Sequence, residues 1–449
     1  MKIEDIVDGR NCKCGRLHAV RIDTIEIGRG VLKDVPAIVR RYHAGGRVGI
    51  FCDQNTLDAA GQEVMRYLDK EMISSHTCEL RPKNRVVPDE KTIGVARGCM
   101  SEDTRLLLAV GSGTITDITR FVAHEKQIPF ISIPTAPSVD GFVSATSALV
   151  VEGLKTSFPA NPPIAIIADL GVLGKAPSKM KAAGFGDLLG KATARMDWEL
   201  ARAVNQEYYC AKIANMVQAA LDDCIQASKI GQMYDEKMTR ALMEGLLRSS
   251  LSAAMVGSTR PISGSEHHIS HFLEMKGLAG VVPEHLHGDT VALGTYFVSA
   301  LYHEVFSLEY EELEKLALAS TGSHPPAARE ARLLAAFGPL GSKMVESWRN
   351  TIRKRAGAPA ILDRLSRNWA DLTRLEKKTI FGIPELGNLM AESDIPFEPA
   401  KLGYTAVLME DAILCAKEIR DRYTLLTLLD DLSLLEHFCK VVLEALDVR

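Results

Sequence analysis

The chain has no apolar run long enough to span a bilayer. Its first ten residues, M-K-I-E-D-I-V-D-G-R, lack the apolar stretch of a secretory signal. Neither membrane insertion nor export is therefore expected. An excess of one charge is also missing: 53 basic residues stand against 57 acidic, a formal net charge of −4. That argues against an obligate nucleic-acid or anionic-membrane partner, although a local basic patch remains compatible with it. The nine cysteines are scattered and odd in number, so a disulfide framework is not expected and a reducing cytoplasm is. Cys12 and Cys14 form C-K-C-G with no second pair, a poor match to a zinc site. Internal repeats are absent, as are the G-x-G-x-x-G fingerprint and the Gly-Lys-Ser/Thr of a Walker loop.

What is present is length and pattern. A chain of 449 residues, 46% hydrophobic and 24% charged, is too long for one ordinary core, so two or more domains are expected. In the first third, short apolar runs alternate with helical patterns. Residues 22–27, 47–52, 106–110, 129–133 and 164–168 read as strands, and 148–151 with 156–158 as a hairpin around Glu152 and Gly153. The run L-L-L-A-V at 106–110 suits a parallel strand buried on both faces. After about residue 175, 3.6-period segments dominate: 185–203, 206–228, 235–256 and 290–305 read as helices. Residues 425–446 are leucine-rich and suit a bundle core, and 323–359 read as a surface helix with loops. The expected architecture is an α/β N-terminal domain (1–175), Rossmann-like with a mostly parallel sheet, and an all-α C-terminal domain (176–449).

Several strand ends carry small or acidic residues. G-S-G-T-I-T-D (111–117) follows an expected strand and opens a helix, where exposed N–H groups and the helix dipole suit phosphate oxygens. A tight turn without a ligand fits it equally well. T-A-P-S-V-D-G-F-V-S (135–144) follows the next strand and would face the same crevice. Asp140 there is a substrate contact or a helix cap, and spacing alone favours the cap. Asp53 suits either an adenosine ribose or the cap of the next helix.

The densest signal is S-G-S-E-H-H-I-S-H-F followed by P-E-H-L-H-G-D. It holds His267, His268, His271, His285 and His287, five of the chain's twelve histidines. His267 and His271 are four apart and share a helical face, with His268 turned about 100° away. About half of such histidines are ordinarily satisfied in the core or at helix ends. Imidazole is also the commonest metal ligand, and Asp187, in A-G-F-G-D-L-L-G-K, offers a carboxylate. At the expected opening of a helix, Asp187 suits the dipole as well as a metal. One carboxylate and two imidazoles leave coordination open for substrate.

Taken together, G-S-G-T-I-T-D, I-P-T-A-P-S-V-D-G-F-V-S, G-F-G-D-L-L-G-K, S-G-S-E-H-H-I-S-H and H-L-H-G-D resemble the sn-glycerol-1-phosphate dehydrogenase family. That family lies in the superfamily of iron-containing alcohol dehydrogenases, glycerol dehydrogenase and dehydroquinate synthase. The resemblance implies a dehydroquinate synthase-like fold and metal ligands Asp187, His267 and His287, with zinc or nickel as the ion, or iron. It implies NAD(H) or NADP(H) held by Gly113, Thr114, Ile115, Thr116, Asp117, Thr135, Ser138 and Ser144. It implies Asp140, Asp187 and His271 near a phosphorylated ketone or alcohol substrate, with catalysis by Asp187, His267, His287 and His271. A cytoplasmic homodimer or higher homo-oligomer serving phospholipid biosynthesis is implied too. His271 would relay a proton or brace a ligand; Arg260 and Lys191 are candidate phosphate donors or ion-paired residues. The rival readings are glycerol dehydrogenase or another polyol dehydrogenase, and a catalytically silent dinucleotide- or metal-binding module. Dehydroquinate synthase would carry Glu where this chain has Asp187.

Overall fold

The computed structural model describes residues 12–43, 45–81, 85–320, 326–352 and 357–448. The reading of the first ten residues lies outside them, as do parts of the 323–359 segment, at 323–325 and 353–356. The chain folds as two compact units: Met1–Leu188 with Lys212–Thr259, and Leu189–Ala211 with Arg260–Arg449.

The first unit carries a six-stranded, wholly parallel sheet. Its strands are β1 (Thr24–Gly28), β2 (Arg47–Asp53), β3 (Ser75–Leu80), β4 (Thr104–Val110), β5 (Phe130–Ile133) and, after a hairpin, β8 (Ala165–Asp169). The hairpin, β6 (Thr146–Val151) and β7 (Leu154–Pro159), forms its own antiparallel pair. It turns at Glu152 and Gly153, both at positive φ, as two-residue hairpin turns require. The sheet order is β1-β8-β5-β4-β2-β3. Leu106, Leu108 and Val110 face one core with Val48, Ile50 and Ile133. Leu107 and Ala109 face the other with Phe51 and Phe130. A strand covered on both faces must be apolar at every position, which is why β4 reads as an unbroken run.

Strand β3, S-H-T-C-E-L, escapes sequence reading. It pairs with β2 alone at the sheet edge and buries only Cys78 and Leu80, so no strong apolar pattern is needed. One cysteine pair departs from the expected unbridged set: Cys78 and Cys99 are joined as a disulfide, with Cα atoms 5.5 Å apart. Cys99 follows the helix that precedes β4, and it ties that helix end to the edge strand.

The second unit is helical, with no strand among its described residues. Helices Lys191–Asn205, Ser265–Leu278, His287–Phe306, Ala358–Thr379, Ala406–Cys415 and Leu435–Ala445 share one core around Phe272, Phe297, Leu365, Met409 and Phe438. The expected 185–203 helix is two helices, Ser178–Leu189 and Lys191–Asn205, broken at Gly190. The expected 206–228 helix starts later, as Ala211–Ile230, and the 290–305 helix starts earlier, at His287. The 425–446 segment breaks around Ser433, which sits at φ 58. No helix among the described residues is long and apolar enough to cross a membrane.

Candidate active site

In the first unit the chain runs from β2 out to β3 and then returns to β4 and β5, so strand order reverses between β2 and β4. Ligands of open parallel sheets bind at the carboxyl ends of strands at such a switch. Beside it, two loops meet at the carboxyl ends of β4 and β5. Gly111–Ser112–Gly113 leads from β4 into the helix Gly113–Lys126. Ser112 Oγ lies 2.6 Å from Ser138 Oγ and donates to Ala136 O at 3.1 Å, which fastens the loop after β4 to the loop after β5.

The residues expected around a dinucleotide have distinct surroundings. Thr114 is half-buried, and Thr116 and Thr135 are buried. Ile115 is part of the sheet core, so only its main chain can meet a ligand. Ser144 Oγ accepts from Thr146 N–H at 3.0 Å on the exposed side. Asp117 pairs with the fully buried Arg120, which also donates to Gly141 O and Phe142 O. Burial raises the Asp117 carboxyl to about 6, against the pull of Arg120. Asp53 caps its helix, with Oδ1 accepting from Thr56 N–H at 2.8 Å and Asp53 N–H donating to Thr56 Oγ1.

Asp140 is buried but caps nothing: the short helix Gly141–Val143 receives no bond from its side chain. Its Oδ2 instead accepts from Ser249 Oγ at 2.8 Å, and its N–H donates to Asp187 Oδ2 at 2.9 Å. Asp187 is wholly buried near the carboxyl end of Ser178–Leu189, and does not open a helix as expected. There the macrodipole opposes a carboxylate. The helix gains nothing from the charge, so another purpose must hold it. Gly184 lets this helix meet the loop after β5, since a Cβ there would stand 1.8 Å from Pro137 O.

The second unit gathers three imidazoles. His267 and His271 share a face of Ser265–Leu278, and His287 is the first residue of His287–Phe306. Ring centroids lie 5.4 Å apart for His267 and His287, 5.7 Å for His271 and His287, and 6.1 Å for His267 and His271. Gly294 brings the two helices together; a Cβ there would lie 2.5 Å from Glu266 O. Each ring is braced by a carboxylate at Nδ1. His267 Nδ1 is 2.7 Å from Glu266, while His271 and His287 share Glu274 at 3.0 and 2.7 Å. An ionised carboxylate only accepts, so Nδ1 holds the proton and Nε2 keeps the lone pair a metal needs. Burial alone would raise the Glu266 carboxyl, but bonds from His267, Thr193 and Gly264 N–H leave it below its ordinary value.

His268 faces a different neighbourhood. It is wholly buried, and neither ring nitrogen has a hydrogen-bond partner among the described residues. Burial first, then the charges of Arg422, Arg420 and Arg260, push its pKa well down. The same crowding lowers Arg422 to about 9, with burial the larger cause. Arg260 pairs with Glu207 and donates to Tyr423 O, and Lys191 is buried and donates to Ile262 O. His285, the fifth of the cluster, lies 2.9 Å from Leu402 O through Nε2. Sequence reasoning missed Glu274, three residues after His271, whose spacing was readable. It also missed Arg420 and Arg422, which no local pattern connects to the histidines.

Residues 26–177 match the family model described as iron-containing alcohol dehydrogenase. Over 419 residues the chain is 34% identical to a glycerol-1-phosphate dehydrogenase, NAD(P)+, of Bacillus velezensis, covering 92% of each chain. It is 31% identical over 441 residues to the enzyme so named from Geobacillus stearothermophilus, covering 97% of this chain and 99% of that one. The chain belongs to the glycerol-1-phosphate dehydrogenase family. Solved structures of low sequence identity share the fold. NADH-dependent butanol dehydrogenase A from Thermotoga maritima superimposes with a TM-score of 0.60 at 14% identity, covering 95% of this chain and 98% of that one. Glycerol dehydrogenase from Schizosaccharomyces pombe gives 0.56 at 16% identity, covering 95% and 92%.

Proposed function

We propose that this protein reduces dihydroxyacetone phosphate to sn-glycerol 1-phosphate with NADH or NADPH. The observation that carries the reading is the near full-length similarity to enzymes of that name. The histidine trio, each ring fixed at Nδ1, supports it chemically.

Asp187, His267 and His287 are the proposed metal ligands, for zinc, nickel or iron. The donors fit: a buried carboxylate misplaced for its helix dipole, and imidazoles whose tautomer leaves Nε2 as ligand. A divalent ion in that set supplies Lewis-acid polarisation of a ketone oxygen, and the nicotinamide supplies hydride. The dinucleotide is assigned to Gly113, Thr114, Ile115, Thr116, Asp117, Thr135, Ser138 and Ser144, with Asp53 at the ribose. Asp140, linked to Asp187 through its main-chain N–H, fixes one carboxylate oxygen and orients substrate. His271 can carry a proton at Nε2 while Glu274 stabilises the imidazolium, and hand it to the oxygen where charge builds. A cytoplasmic homodimer is the assembly and location the family resemblance implies.

The test is Asp187→Ala and, separately, His267→Ala. Each is expected to remove bound catalytic metal and ketone reduction together, measured by elemental analysis and NADH absorbance. Full activity in a variant lacking that metal ends the reading. Running the same assay with NADPH and with unphosphorylated dihydroxyacetone settles cofactor and substrate.

A further inference from the structure

We infer that the Cys12–His18 segment of the first unit is a second metal site, a zinc site distinct in chemistry from the catalytic one. The C-K-C-G turn closes with Gly15 N–H donating to Cys12 O at 3.1 Å, and Gly15 sits at φ 79, a conformation other L residues rarely adopt. Ligand atoms of Cys12, Cys14 and His18 all lie within 4.8 Å of one another. Two thiolates on one tetrahedral zinc, each about 2.3 Å from the ion, stand about 3.8 Å apart, so the spacing is compatible with a shared ion.

His18 supplies the independent observation. It is 2% exposed, and its Nδ1 lies 3.1 Å from Met255 O, a main-chain acceptor 237 residues away. A carbonyl oxygen cannot donate, so Nδ1 carries the proton and Nε2 carries the lone pair. That Nε2 lies 3.1 Å from Cys14 Sγ. The orienting bond is the one metal-bound histidines ordinarily make through their second nitrogen. Neither Cys12 nor Cys14 is in a disulfide. Two soft thiolates with one imidazole select zinc over magnesium, calcium or manganese. Binding replaces the thiol protons, so affinity falls as pH drops. The pattern C-x-C alone gave no such site; Met255, which fixes the third ligand, is far along the chain.

The experiment uses full-length protein reconstituted with cobalt(II), with elemental analysis alongside. Only a thiolate-containing site gives an intense sulfur-to-cobalt charge-transfer band; the proposed Asp187, His267 and His287 set has no sulfur. Wild type is expected to show the band and to hold about two ions per chain, one for each proposed site. Cys14→Ser and Cys12→Ser should each lose the band and about one ion, while His267→Ala should keep the band. Should the serine variants misfold, limited thiol alkylation of wild type should release one ion, and bound metal should protect Cys12 and Cys14 from labelling. The inference is overturned by a wild type without the band, by a band that survives Cys14→Ser, or by labelling unaffected by metal. Loss of ketone reduction alone bears on the catalytic reading and not on this one.

Discussion

Asp187 shows how a single residue separates structural from chemical demand. A carboxylate in the last turn of a helix, wholly buried, faces both desolvation and an opposing dipole. In the first unit Asp140 N–H donates to its Oδ2 at 2.9 Å. Gly184, three residues earlier, is set by sterics: Gly184→Ala places a carbon against Pro137 O. It is expected to cost about 1–3 kcal/mol or more and to weaken NADH binding. Thermal unfolding and fluorescence titration check this; an alanine variant with unchanged stability and NADH affinity contradicts it. Asp197 in the second unit makes a pH prediction. It accepts from Ser265 N–H, Leu425 N–H and Tyr302 O–H, yet burial, then Glu266, raise it to about 6 from the ordinary 3.8. The folded state therefore keeps this proton longer than the unfolded state does. Stability from this group is full below about pH 4 and is lost as pH rises through about 6, by roughly 3 kcal/mol. Asp197→Asn should be less stable overall and flatter across that window in denaturant titrations. An identical slope in wild type and variant would refute it.

At the scale of elements, two helices are brought into register by one small residue and one carboxylate. Gly294 allows close approach of Ser265–Leu278 and His287–Phe306, and Glu274 reaches a histidine on each. Glu274→Gln cannot accept from both rings in the same way. It is expected to weaken catalytic-metal binding about 10–100-fold while the helices persist, read by metal titration beside circular dichroism. Metal affinity equal to wild type would show that the brace is dispensable. The shared face of His267 and His271 was legible from their spacing, because helical period is a local property. The meeting with His287 was not, since it depends on which turn of one helix faces which turn of another. Edge strand β3 was lost for the opposite reason: half-exposed, it carries little pattern to read.

At the scale of the molecule, the loops proposed for the dinucleotide belong to the first unit and the three imidazoles to the second. Chelation is therefore expected to abolish ketone reduction while NADH affinity changes less than about threefold, because none of the proposed dinucleotide contacts is a metal ligand. Zinc or nickel should restore turnover. Parallel loss of NADH binding would mean that the two functions are not separable. The helices Ala211–Ile230 and Glu236–Val256 illustrate what a periodic pattern leaves open. Both read as helices, and both fall largely within the unit that holds the sheet. An amphipathic face says that something covers it, not which surface does.

Sequence alone determined the fold class and the family, because strand burial, helical period and motif order are written in near neighbours. Tertiary structure decided where Asp187 sits on its helix, which carboxylate braces each imidazole, and that Met255 orients His18. Those outcomes depend on main-chain atoms and close approaches between segments remote in the chain, where no local pattern of side chains records them.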